Sequence, residues 1–183
     1  MKNIFKITIG FIITALAFTS CNNGESKSNS ALSSNVAEKV YVAPGEHDEF
    51  YAFISGGFSG QLAVHGLPSG RLFKVIPVFS VDPEKAYGFN EETKPMLNTS
   101  HGFIPWGDSH HPDISQTAGE LDGRYVFINE NNTPRVAKVD LTTFETTEII
   151  EVPNSAGNHS SSYVTENTEY VIAGTRFGIP IPQ

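Results

Sequence analysis

The chain repeats itself, and the repeat constrains its architecture more than any other feature. Tyr51-Ala52-Phe53-Ile54 returns as Tyr125-Val126-Phe127-Ile128, 74 positions later. At the same offset Leu62 matches Val136, Ala63 matches Ala137, Leu67 matches Leu141, Val75 matches Ile149, Ile76 matches Ile150 and Val78 matches Val152. The register holds without a gap from residue 51 to residue 78. A third copy, Tyr170-Val171-Ile172-Ala173, begins 45 positions after Tyr125. Self-similarity at roughly 40–50 residues, with several short strands per unit, is the mark of a β-propeller. The longer first spacing places an insertion, Ser80 to Gly107, between the first two units.

Each unit reads as strands joined by tight turns. Short runs such as Phe50 to Ile54, Gln61 to Val64 and Leu72 to Phe79 are separated by Ser55-Gly56-Gly57 and Leu67-Pro68-Ser69-Gly70. Runs rich in β-formers between Gly, Pro and Ser clusters predict antiparallel meanders. In the second unit the Tyr125 strand is expected to be innermost, with a turn at Asn131-Asn132, a return strand from Val136 to Leu141, a turn at Thr142-Thr143 and a third strand from Glu145 to Val152. No sustained helical period occurs, although residues 83–98 have room for a short helix. Because one blade cannot bury both of its faces, blades must stack around an axis. The expected fold is all-β: a partial β-propeller with two complete blades and the start of a third, the N-terminal piece of a longer protein.

The N-terminus has a different character. Lys2 and Lys6 precede an apolar run from Ile7 to Phe18 that ends in small residues, the anatomy of an export signal over residues 1–20. The run is shorter than the roughly 20 residues a spanning helix needs. The sole cysteine follows at once in Phe18-Thr19-Ser20-Cys21, which resembles a lipoprotein lipobox with Phe18 in place of the usual Leu. The alternative is an incidental cysteine beside an ordinary cleavage site. Either way the chain is expected to be exported: periplasmic, and membrane-anchored where Cys21 carries a lipid. Residues 21–48 hold a Ser- and Asn-rich stretch with few large apolar side chains, a composition that predicts a flexible tether. The propeller part is expected over residues 49–183. A net charge of −8, with no Lys/Arg-rich run, argues against a nucleic-acid partner. One cysteine excludes a disulfide scaffold and a thiolate zinc site.

The chemistry concentrates in Asp108-Ser109-His110-His111-Pro112. Neutral imidazole is the commonest protein ligand for copper, zinc and iron. His111 lies 14 residues before Tyr125 and His159 lies 11 before Tyr170, so each stands ahead of the same strand in successive blades. Residues so placed converge toward a propeller axis, and Asp108 is near enough to hydrogen-bond an imidazole and fix its orientation. His47, His65 and His101 lack that placement and read as surface residues. Trp106 reads as a packing anchor, Asp122-Gly123 as a turn. No nucleophile elbow, P-loop or H-E-x-x-H motif is present.

Several segments together resemble nitrous-oxide reductase. They are Tyr51 to Gly60, Ile76-Pro77-Val78-Phe79, the Asp108 to Pro112 motif, Asp122-Gly123-Arg124-Tyr125-Val126-Phe127-Ile128-Asn129, Arg135-Val136-Ala137, and Val152-Pro153-Asn154 followed by His159. No Arg-Arg pair precedes the apolar leader, so the chain is similar to the branch exported by the general secretory route. The resemblance implies a seven-bladed propeller whose hub holds a four-copper, sulfide-bridged cluster on seven histidines. It also implies a C-terminal cupredoxin domain with a dinuclear copper site, and bound calcium. By motif, His110, His111 and His159 are the first three cluster ligands and Asp108 supports them. The implied reaction is N₂O + 2H⁺ + 2e⁻ → N₂ + H₂O, with a cytochrome or cupredoxin as electron donor and a homodimer as the working form. The remaining histidines, the calcium positions and the cupredoxin domain are expected beyond Gln183, so the fragment alone is expected to be inactive.

The alternative, from another class, is a metal-free exported propeller lipoprotein that acts as a binding module through its blade loops. The two readings diverge at the gene. The enzyme predicts that the frame past Gln183 encodes further histidines at hub positions and a C-x₃-C pair; the binding module predicts neither, and sequencing that DNA checks it.

Overall fold

Two sheets built from the two sequence repeats pack face to face. The structure, a computed structural model, describes residues 36–178. The export signal and Cys21 lie outside the described residues, as does most of the expected tether, whose residues 36–39 begin a helical turn that ends at 40. All strands belong to the unit Val40–Gln183.

The first sheet is β1 (Phe50–Ser55), β2 (Gln61–Leu67) and β3 (Leu72–Pro77), antiparallel in that order. The insertion follows. It holds a 3₁₀ turn at Lys94–Leu97, started by Pro95, and the small hairpin β4 (Asn98–Thr99) and β5 (Gly102–Phe103). The second sheet has four strands: β6 (Ser109–Thr117), β7 (Glu120–Glu130), β8 (Arg135–Asp140) and β9 (Glu145–Glu151). Beyond it, β10 (Ser155–Gly157) pairs with β13 (Phe177–Gly178), and β11 (Ser162–Val164) pairs with β12 (Val171–Ala173). None of these sheets closes on itself, and the whole is a partial β-propeller, as the repeat predicts.

The 74-residue register survives strand by strand. β2 opens at Gln61 and β8 at Arg135, its counterpart; β1 aligns with the second half of β7, and β3 with β9. Side chains alternate between faces along a strand, and the buried positions follow that rule. Val126 pairs with Val139 and Ile128 with Ala137 on one face of the second sheet. These meet Leu62, Val64, Ile76, Val78 and Phe79 from the first, forming one core between the two blades. The Thr146 hydroxyl donates to the Pro77 carbonyl at 2.7 Å and ties β9 to the end of β3.

Three expectations change. The Tyr125 run is the second strand of its blade, because β6 precedes it on the sheet edge. The hairpin joining them turns at Ala118-Gly119, both with positive φ, and Asp122-Gly123 lies inside β7, where the ladder slips between Ile114 and Gln116. A bulge has replaced the expected turn, since the extra residues are absorbed within the strand. Trp106 is not a packing anchor: it bridges Ser80 by backbone while its side chain is exposed.

Leu62 is fully buried in the inter-blade core. Replacing it with Ala is expected to cost about 2–5 kcal/mol, measured as a fall in the urea midpoint of unfolding of the full-length protein.

Candidate metal centre

A regular strand would send His110 and His111 to opposite faces. The backbone prevents this. His110 pairs with Asn129, but the next paired residue is Asp113, opposite Phe127, so β6 uses three steps where β7 uses two. His111 takes a φ of 45°, rare for a residue with a side chain, and Pro112 brings no N–H that would need a ladder partner. Such a bulge re-aims a side chain. Both imidazoles consequently turn toward the same place.

His159 arrives there from the following blade. It stands three residues ahead of β11, in the segment after β10. Its ring centroid lies 4.3 Å from that of His110 and 5.0 Å from that of His111, while His110 and His111 are 5.7 Å apart. One nitrogen from each of the three rings lies within 4.8 Å of the others. Among the described residues this is the one cluster of His, Cys or acidic side chains with metal-holding geometry. His110 and His159 are half-buried and His111 is exposed. The His111 imidazole is held below its ordinary pKa, first by desolvation and then by the neighbouring rings of His159 and His110. Neutral rings present lone pairs, which is the form a metal requires.

Asp108 supports this group. It is 2% exposed, and its Oδ1 lies 2.8 Å from His110 Nε2. Apart from that imidazole, Oδ1 has no hydrogen-bond partner among the described residues. Oδ2 accepts from Asn131 Nδ2 at 3.2 Å, and the Asp108 carbonyl accepts from the Asn131 N–H at 2.9 Å. A carboxylate aimed at one ring nitrogen orients the ring and leaves the other nitrogen basic. Three imidazoles, one of them oriented by a carboxylate, fit a borderline metal such as copper, zinc or iron.

Residues that the sequence did not single out complete the surroundings. Asn129 and Asn158 are fully buried, and Asn129 Nδ2 donates to the Asn158 carbonyl, which fastens the His159 segment to β7. Their side-chain oxygens find no donor among the described residues. Glu130 and Arg135 are also buried beside Asp108. Of the other histidines, His65 sits on β2 with Nδ1 3.3 Å from the Gly70 carbonyl, and His47 and His101 are exposed. None joins the cluster.

The far end of β6 is held by a clamp around Asp122. Its carboxylate accepts from Arg124 Nε at 2.7 Å, from Thr117 Oγ1 at 2.8 Å and from the Ser115 hydroxyl, which in turn accepts the Tyr125 N–H at 2.9 Å. The Arg124 guanidinium, followed by Ser115 and Thr117, holds the Asp122 carboxyl well below the usual range. A carboxyl lowered in the folded state adds stability above its unfolded pKa and loses it as pH falls through the folded one. Asp122→Ala is therefore expected to melt earlier than wild type at pH 5–7, with the gap shrinking as the solution is acidified below the usual carboxylate range; melting curves across pH check it.

No protein-family model matches the chain. Among curated proteins, it is 40% identical over 146 residues to the nitrous-oxide reductase of Stutzerimonas stutzeri, covering 79% of this chain and 23% of the relative. It is 40% identical over 153 residues to that of Pseudomonas fluorescens, covering 83% and 24%. The nitrous-oxide reductase of Cupriavidus necator is 35% identical over 154 residues. The chain thus spans about a quarter of the length of the curated relatives it matches. Over four-fifths of its own length, the resemblance carried by the histidine motif holds.

Proposed function

We propose that the chain is the N-terminal part of a nitrous-oxide reductase, and that His110, His111 and His159 are copper ligands at the hub of its propeller. One observation carries the reading. Three histidines from two successive blades converge within 4.8 Å, in a chain 35–40% identical over about four-fifths of its length to proteins of that name.

The chain's own residues do four things in this reading. The bulge at His111 and Pro112 brings adjacent imidazoles to one point. The Asn129 to Asn158 contact holds the third imidazole beside them. Asp108 orients His110 and fixes which ring nitrogen stays basic. The inter-blade core keeps these elements from shifting when a metal binds or leaves. When bound, a histidine-held, sulfide-bridged copper cluster supplies the electrons that reduce N₂O, an inert and weakly binding molecule, to N₂ and water. Imidazole suits copper, and sulfide adds the softness that Cu(I) prefers.

The rest of the whole protein follows the same reading. It is exported, with residues 1–20 as leader and Cys21 as a lipid attachment site. It takes electrons from a cytochrome or cupredoxin, and it works as a homodimer with a dinuclear copper site and calcium held by parts of the protein outside this chain.

The test is copper and sulfide analysis of the full-length protein. His110→Ala and His111→Ala are each expected to lose the cluster's copper and its visible absorption. An unchanged four-copper content in both overturns the ligand assignment. A full-length wild-type protein free of copper supports the metal-free binding module instead.

A further inference from the structure

Glu130 and Arg135 form an ion pair, Nε to Oε2 at 2.9 Å, with both side chains essentially without solvent contact. Burying such a pair seldom gains stability over apolar side chains of the same volume, because desolvation offsets the attraction. Its presence in the inter-blade seam therefore calls for another role. The neighbours indicate one. The second Glu130 oxygen, Oε1, accepts the Asp108 N–H at 3.3 Å. Asp108 in turn reaches His110 at 2.8 Å. The two charged residues and the histidine site thus share one unbroken path: Arg135, Glu130, Asp108, His110.

Two details point the same way. The guanidinium lies over the Phe79 ring, 5.0 Å from its centroid, and neither Nη1 nor Nη2 has a hydrogen-bond partner among the described residues. Its directed bonding goes to Glu130 through Nε. At Gly107, a Cβ would stand 3.0 Å from Glu130 Oε1 and 2.6 Å from the Phe79 Cβ. The bare glycine lets the carboxylate close on the backbone just ahead of Asp108.

We propose that Glu130 and Arg135 are positioning residues of the histidine site: the pair clamps the Asp108 backbone, and through the Asp108 carboxylate it sets the orientation of His110. This rests on the copper reading above. Loosening the clamp lets Asp108 swing, which frees the His110 ring to rotate and weakens its hold on the metal. Outer partners of metal ligands typically affect metal affinity by about 10–100-fold.

The double variant Glu130→Met/Arg135→Met separates positioning from folding, since it removes both charges together and keeps the volume. It is made in the full-length protein beside Glu130→Gln. Copper per chain, the visible and EPR spectra, and the chelator concentration that strips half the copper are measured, with circular dichroism and melting as fold checks. The expected result is a native-like fold with a shifted copper spectrum and about tenfold easier stripping. Unchanged spectra and chelator resistance in a folded double variant overturn the proposal. If the double variant does not fold, Glu130→Gln, read by the same spectra, decides in the same sense. A wild-type protein without copper overturns the reading of function, and this proposal with it. Wild-type copper with insensitive variants overturns this proposal alone.

Discussion

Strand geometry sends neighbouring side chains to opposite faces, and this site depends on breaking that rule at one place. The break is confined to His111 and Pro112. A left-handed residue with a side chain costs on the order of 1 kcal/mol, so it persists only where the flanking chain over-determines it. β6 is fastened on both sides of the bulge. Ser109, just before it, bonds through its N–H and hydroxyl to the Gly57 and Gln61 carbonyls of the first blade. Asp113, just after it, accepts the Val164 N–H of β11 at 2.9 Å. The strained step is pinned between two blades, so the conformation that brings the histidines together is a consequence of blade packing.

Packing also decides where polar groups may be left short of partners. The seam between the first two blades is apolar at Leu62, Val64, Val126 and Val139 and polar at Asp108, Glu130 and Arg135. An unpartnered buried polar group costs about 1–3 kcal/mol, so native chains tolerate few of them. Here Asn129 Oδ1 and Asn158 Oδ1 are left so, on the residue paired with His110 and the residue before His159. Stability alone would have filled those positions with apolar side chains. Local rules broken without a stability gain are expected at functional sites.

Much of the fold was legible because the repeat samples both strand pairing and burial: matching Leu62 with Val136 and Ile76 with Ile150 already implies the same ladder twice. β6 was not legible. Its sequence, Ser-His-His-Pro-Asp-Ile-Ser-Gln-Thr, has one large apolar residue and an interior proline, so neither alternation nor β-propensity marks it as a strand. It is held by its neighbours. Asp122-Gly123 misled for the opposite reason: the dipeptide favours turns locally, but the clamp of Ser115, Thr117 and Arg124 keeps the strand going through it. Motif and blade spacing singled out three histidines that the structure brings within 4.8 Å of one another. Glu130 and Arg135 were not, because charged residues flanking a hairpin loop ordinarily face water. The signal available was their opposite charge at directly paired positions; the burial came only with the second blade.

The arrangement of donors bears on the metal site proposed above. A structural metal site closes its coordination shell with protein ligands, whereas a catalytic one keeps positions open. Three imidazoles converge here from one side, supported from behind by Asp108, while His111 is left exposed. Asp108, itself held by Asn131, supports His110, and the bond from Asn129 to the Asn158 carbonyl fastens the segment that carries His159. His110 and the segment carrying His159 are therefore fastened to the fold by hydrogen bonds, while His111 is left exposed.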